Sequence, residues 1–153
     1  MIKINVFSEE KAWSKRLKNT DLFFKKICKA FPKKYQFSNK KVSFSLLLSN
    51  NQNIKKLNKH FRNKNKSTDI LSFPFNYKIK FSKNTYLGDI IISYNYLNSS
   101  KSQDLLLFKQ KVIKIFIHGF LHLLAFNHIN NKDYFKMLRE ENLIYNHIKS
   151  KIN

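Results

Sequence analysis

The chain predicts an α+β fold, a small mixed four-stranded sheet packed with about four to five helices. Three observations carry this. Four short apolar or alternating runs are interleaved with segments of helical period, in no regular strand–helix alternation. The 153 residues, 42% of them hydrophobic, are enough for one core, so residues 1–153 are expected to form one domain. Residues 105–126 are the most apolar segment and belong at the centre.

Residues 2–7 alternate weakly and read as a first strand. Ser8 followed by Glu9 and Glu10 is a plausible helix N-cap with acids in the first turn. Residues 9–31 place Trp13, Leu17, Phe23, Phe24 and Ile27 on a broken helical period that Pro32 closes. A basic polar connection over 33–41 leads into Val42–Ser49, which alternates and then turns continuously apolar, as a buried strand does. Asn50 or Asn51 can cap a short helix running to about His60. Arg62–Thr68 is rich in charge and turn formers and reads as a loop.

Asp69–Phe75 is a strand that Pro74 confines to an edge or an end. Leu87–Ser93 is a stronger strand. Residues 94–110 read as helical or mixed, and 105–126 as the central helix. Residues 131–150 carry Tyr134, Met137, Leu138 and Leu143, with Ile144 beside them, at helical spacing.

Composition narrows the setting. The most apolar stretch, Val112–Phe126, contains Lys114, His118 and His122 and falls short of the ~20 residues that span a bilayer. The first residues lack the apolar core and small-residue cleavage site of a signal peptide. The single cysteine, Cys28, has no internal partner and suits a core position near a helix end. Together these favour a reducing cytoplasm and no membrane. The formal charge of +21, from 30 basic and 9 acidic residues, points to a polyanion, of which nucleic acid is the commonest. The lysine-, asparagine- and isoleucine-rich usage also fits an AT-rich coding sequence, so the basicity supports RNA binding without proving it.

The segment His118-Gly-Phe-Leu-His122-Leu-Leu-Ala-Phe-Asn-His128 holds three of the five histidines. On a helix His118 and His122 share one face a turn apart, and His128 can return from the following turn. Three neutral imidazoles suit Zn²⁺ and leave a fourth position for chemistry, whereas a closed structural site wants four protein ligands. Nitrogen ligands also serve Ni²⁺ and Cu²⁺, so Zn²⁺ is the expectation and not the sole candidate. The site would sit at the end of the central helix. Zinc peptidases of the H-E-x-x-H kind carry their general base beside the first histidine, and here that position is Gly119, which argues against a peptidase.

The metal motif resembles H-G-x-L-H-L-x-G-Y-D-H, the signature of the YbeY family of bacterial rRNA-maturation endoribonucleases. Leu57-Asn-Lys-His-Phe-Arg-Asn-Lys-Asn-Lys-Ser-Thr-Asp-Ile-Leu-Ser-Phe-Pro-Phe resembles the family's L-N-x-x-Y-R-x-K-D-x-P-T-D-V-L-S-F-P-F. Leu87-Gly-Asp-Ile-Ile-Ile-Ser resembles its L-G-D-I-x-I-S. The three motifs fall in the family's order over residues 57–128. Ala125, Phe126 and Asn127 stand where the family has glycine, tyrosine and aspartate. Asn65 and Ser67 replace an aspartate and a proline.

The resemblance implies that His118, His122 and His128 bind the metal and that Arg62 is the family's important arginine. It implies a single-strand-specific, metal-dependent endoribonuclease acting in 16S rRNA 3′-end maturation and ribosome quality control, with single-stranded RNA, rRNA and ribosome-associated factors as partners. Arg62 is then expected to stabilise charge developing on the phosphodiester. Phe61 is the best candidate for a base-stacking residue beside it. Asp69, Ser72 and Asp89 are expected to tie loops and strand ends together. The alternative is a non-catalytic, basic ribosome- or RNA-binding module whose metal site is structural or degenerate.

Overall fold

The computed structural model describes residues 1–98 and 104–152. Strand β1 (Ile2–Ser8) leads to helices α1 (Ala12–Arg16) and α2 (Thr20–Lys29), then a single 3₁₀ turn over Lys33–Tyr35. Strand β2 (Lys41–Ser49), helix α3 (Asn51–Arg62) and strands β3 (Ile70–Pro74) and β4 (Asn84–Ser93) follow. Helices α4 (Tyr94–Leu97), α5 (Leu105–Leu123) and α6 (Asn131–Ile152) complete the described residues. The sheet order is β1-β2-β4-β3. β1 and β4 both run parallel to β2, and β3 is antiparallel to β4, so the sheet is mixed as the sequence predicts.

Alternation in the strands decides which face takes which helix. Val42, Phe44, Leu46 and Leu48 of β2 and Ile90 and Ile92 of β4 are buried in one cluster with residues of α2, α5 and α6. Leu47 of β2, Leu71 and Phe73 of β3 and Ile91 of β4 point the other way and take Ile54 and Leu57 of α3. Pro74 ends β3 on the edge of the sheet, where its missing N–H costs no internal ladder bond.

α5 is the central helix. Phe108, Val112, Phe116 and Phe120 are fully buried along it, and each such side chain contributes about 1.5–3 kcal/mol of transfer free energy. The Phe116 ring lies 5.1 Å from Phe24 and 6.0 Å from Phe44, which locks α5 between α2 and the sheet. Gly119 lets the helix approach the strands closely: a Cβ there would lie 2.6 Å from Ile70 Cδ1 and 3.1 Å from Ser72 Oγ.

Several local expectations change. The helical period over 9–31 breaks into α1 and α2, with Asn19 capping the second through a 2.9 Å bond from the Leu22 N–H. Ser8 caps nothing. It ends β1, and its hydroxyl donates to the Glu10 carbonyl. Asn50 does cap α3, accepting from the Asn53 N–H at 2.9 Å. α3 continues two residues beyond His60, so Arg62 closes a helix and does not open a loop. Asn63 follows with φ +59, the left-handed C-terminal turn that asparagine tolerates. The central helix stops at Leu123, short of Phe126. In the 94–110 segment, α4 and the start of α5 are helical, and residues 99–103 lie outside the described residues.

On α6 the expected apolar face is rotated. Tyr134, Leu138 and Leu143 are exposed, while Met137, Ile144 and Ile148 are buried. The packing stripe is therefore 137, 141, 144, 148, and it passes through Glu141, a charge that masks the stripe in sequence.

Candidate metal centre

His118 and His122 sit one turn apart near the C-terminal end of α5, as the four-residue spacing requires. The chain then reverses through a Schellman motif. The Ala125 N–H bonds the His122 carbonyl and the Phe126 N–H bonds the Leu121 carbonyl, both at 3.0 Å. Ala125 takes the left-handed conformation itself, at φ +69. This reversal brings His128 back. The ligand nitrogens of His118, His122 and His128 lie within 4.8 Å of one another, and no other such group occurs among the described residues. The two helical histidines are partly buried and His128 is exposed.

The hydrogen bonds define which nitrogens face inward. His122 Nδ1–H donates to the Phe126 carbonyl at 2.9 Å, an acceptor delivered by the same turn. His118 Nδ1–H donates to Glu141 Oε1 of α6 at 2.5 Å. A carbonyl or carboxylate oxygen only accepts, so each bond places a proton on Nδ1, and in the neutral ring Nε2 is then the free lone pair. Those Nε2 atoms are 3.0 Å apart. Two bare lone pairs at that distance repel unless a proton or a metal cation lies between them. Burial is the main cause that pushes the His122 imidazole down to about 4 from its ordinary 6.5, and the neighbouring His118, when charged, adds to it. His122 therefore stays neutral at neutral pH, and the ligand form is the one present. A tetrahedral ion with metal–nitrogen bonds of 2.0–2.1 Å has ligand pairs about 3.3 Å apart. The donor set fits a metal ion.

Arg62 lines the same cleft, a depression of about 940 Å³ that also includes Phe61, Asp69, Ser72, Phe73 and Tyr77. Its guanidinium donates to the Ser72 carbonyl at 2.9 Å and stands over the Phe73 ring at 5.5 Å. Ser72 is buried, and its hydroxyl donates to the Gly119 carbonyl at 3.3 Å. One serine thus joins the arginine to the histidine helix. Asp69 accepts from the Ile70 N–H and the Thr68 hydroxyl, which fixes the start of β3. Asp89 is exposed on β4, accepts from the Tyr86 hydroxyl and does not line the cleft. Asp69, Ser72 and Asp89 therefore have structural partners, as expected, though Asp69 and Ser72 also line the cleft.

Three contributors escape sequence reasoning. Glu141 follows His128 by thirteen residues, outside any motif. Phe126 acts through its backbone oxygen, which no residue type encodes. Asn58, 2% exposed, uses its side-chain amide to bind the Lys66 carbonyl at 2.9 Å and so holds the segment after Arg62 against α3. A polar residue among the apolar positions of a helix was the available signal for Asn58.

A mixed sheet, a central helix bearing two histidines, a third on the returning turn and an arginine at the end of the helix on the opposite sheet face form a cleft of the kind that metal-dependent enzymes use. The family model described as Endoribonuclease YbeY matches residues 5–149. Endoribonuclease YbeY of Pelagibacter ubique (strain HTCC1062) is 60% identical over 152 residues, 99% of this chain and 99% of that protein. Endoribonuclease YbeY of Sulfurihydrogenibium sp. (strain YO3AOP1) is 34% identical, covering 78% of this chain and 82% of its own. That of Ehrlichia chaffeensis (strain ATCC CRL-10679 / Arkansas) is 34% identical, covering 84% and 80%. The chain belongs to the YbeY family of endoribonucleases. No helix among the described residues is long and apolar enough to cross a membrane.

Proposed function

We propose that this chain, acting as one catalytic domain, is a metal-dependent endoribonuclease that cuts single-stranded RNA during 16S rRNA 3′-end maturation and ribosome quality control. The observation that carries the reading is the pair of inward-facing Nε2 atoms of His118 and His122 in the cleft that also holds Arg62. His118, His122 and His128 would hold the ion, and zinc is the expected one because three neutral nitrogens suit it. When bound, such an ion supplies Lewis acidity toward water and a phosphoryl oxygen.

The remaining work falls to the chain. A guanidinium has five donors, and the Ser72 carbonyl takes one from Arg62. The others can meet the non-bridging oxygens of a phosphodiester, where negative charge grows in the transition state. The Ser72 bond and the Phe73 ring hold the guanidinium plane against the cleft wall, so little ordering remains at the moment of reaction. Phe61 is 61% exposed and Tyr77 87% exposed on the cleft rim. Their exposed ring surfaces suit splayed bases, which a single strand offers and a duplex does not. The charge of +21 draws the phosphate backbone in. Substrate on the ribosome and a single cysteine held reduced accord with a cytoplasmic protein working beside ribosome-associated factors.

The test is cleavage of single-stranded RNA by wild type, His122→Ala and Arg62→Ala, with and without chelator. Cleavage should vanish on chelation and in His122→Ala, and fall about 10²–10³-fold in Arg62→Ala, with RNA binding retained. Equal activity in every sample would defeat the enzyme reading. Binding without cleavage in any sample would favour a basic RNA-binding module instead.

A further inference from the structure

Glu141 occupies an unusual place. α6 packs through Met137, Ile144 and Ile148, all at most 1% exposed, and Glu141 falls on that same stripe. A carboxylate on a packing face loses hydration and needs a partner that returns it. Its partner is His118, with Nδ1 and Oε1 2.5 Å apart and the two side chains 27% and 25% exposed. The adjacent acid, Glu140, turns elsewhere and pairs with Lys34 at 2.6 Å. Helix α6 thus sends one carboxylate to the metal-site histidines, from a helix that supplies no ligand.

We propose that Glu141 is a positioning residue for the metal centre: it fixes the Nδ1–H tautomer and ring orientation of His118, so that Nε2 is the atom offered to the ion. The inference rests on the reading of the three histidines as a metal centre. Three features of the geometry support it. A carboxylate accepts only, so it selects the tautomer. Its charge raises the electron-donating power of the opposite nitrogen, as carboxylates behind metal-bound histidines do. The second ring is treated in the same way, since the Phe126 carbonyl holds His122 Nδ1–H. Both helical ligands are therefore oriented from behind, one by α6 and one by the turn after α5. The packing of α6 on α5 becomes part of the metal site.

The discriminating variants are Glu141→Met, which suits the apolar stripe and removes the acceptor, and Glu141→Gln, whose amide oxygen can still accept. Imidazole nitrogen shifts of isotope-labelled, metal-free protein at pH 8 report the tautomer. Competition with a chromophoric chelator reports zinc affinity. Wild type and Glu141→Gln should hold His118 as the Nδ1–H tautomer, with zinc affinities within a few-fold of each other. Glu141→Met should show mixed tautomers and an affinity about 10–100-fold lower. Glu141→Ala takes its place if the methionine side chain prevents folding. Zinc uptake by wild type with an unchanged tautomer and affinity in the acceptor-less variant overturns the positioning role alone. Failure of wild type to take up zinc any better than His122→Ala overturns the metal reading, and the proposal with it.

Discussion

His118 and His122 present their Nε2 atoms to each other at 3.0 Å while both Nδ1 atoms are engaged, one by Glu141 and one by the Phe126 carbonyl. The protein has therefore prepared a gap that suits a cation. Zinc should raise the melting temperature, and zinc at 100 times Kd should stabilise the fold by about 2.7 kcal/mol. His122→Ala should abolish the shift. Thermal scans with and without EDTA check this, and an unmoved melting temperature in wild type contradicts it.

The same burial gives the metal-free protein a pH dependence of definite sign. His122 titrates near 4 in the folded state and near 6.5 when unfolded. Between these values the unfolded chain binds a proton that the folded one does not, so stability falls as pH falls through that window. Below about 4 this contribution no longer changes. Urea unfolding of chelated protein at pH 7, 5.5 and 4.5 should show a steeper loss for wild type than for His122→Phe. Parallel losses in the two proteins would count against it.

Ala125 adopts φ +69, where a side chain is strained by about 1–2 kcal/mol. Glycine removes that strain but adds about 0.4–1 kcal/mol of unfolded-state entropy. Ala125→Gly should therefore stabilise the protein by about 0.5–1 kcal/mol, and leave zinc affinity equal or improved. Chemical denaturation measures this, and a destabilised variant refutes it.

RNA affinity should fall linearly on a log–log plot against salt, with a slope of about −0.7 for each phosphate neutralised on a single strand. Phe61→Ala should cost about 1–3 kcal/mol of single-strand binding and leave the salt slope unchanged, because it removes stacking and no charge. Phe61→Tyr should retain binding. A flat salt response would rule out the basic groove.

The parts legible in sequence are those where one physical rule dominates. Alternation in β2 marks a strand because one sheet face is buried against α5, and the unbroken apolar run of β4 marks one because α3 covers the other face as well. The i,i+4 histidines predict their shared face because helix geometry leaves no choice. Asn63, Lys64 and Asn65 look like turn residues and give Arg62 the pattern of a loop, yet the helix runs on until the left-handed Asn63 ends it. Leu138 and Leu143 are more hydrophobic than the stripe containing Glu141 and point the sequence pattern to the wrong face of α6; the place of Glu141 on the packing face has meaning only once His118 is opposite. Glu141 is a tertiary contact between positions 23 apart, and no local pattern encodes it. Phe126 contributes a backbone oxygen, so its role was invisible to residue type.

Ser72 grips Arg62 with its carbonyl and the Gly119 carbonyl of α5 with its hydroxyl, from an outermost strand of five residues. Sliding β3 by a single position along β4 would present Leu71 or Phe73 to that helix and erase both grips at once. Strand registration at the sheet margin, rather than any ligand, is what keeps guanidinium and imidazoles at a constant separation. Loosening that margin would disable the cleft while leaving every one of its side chains intact.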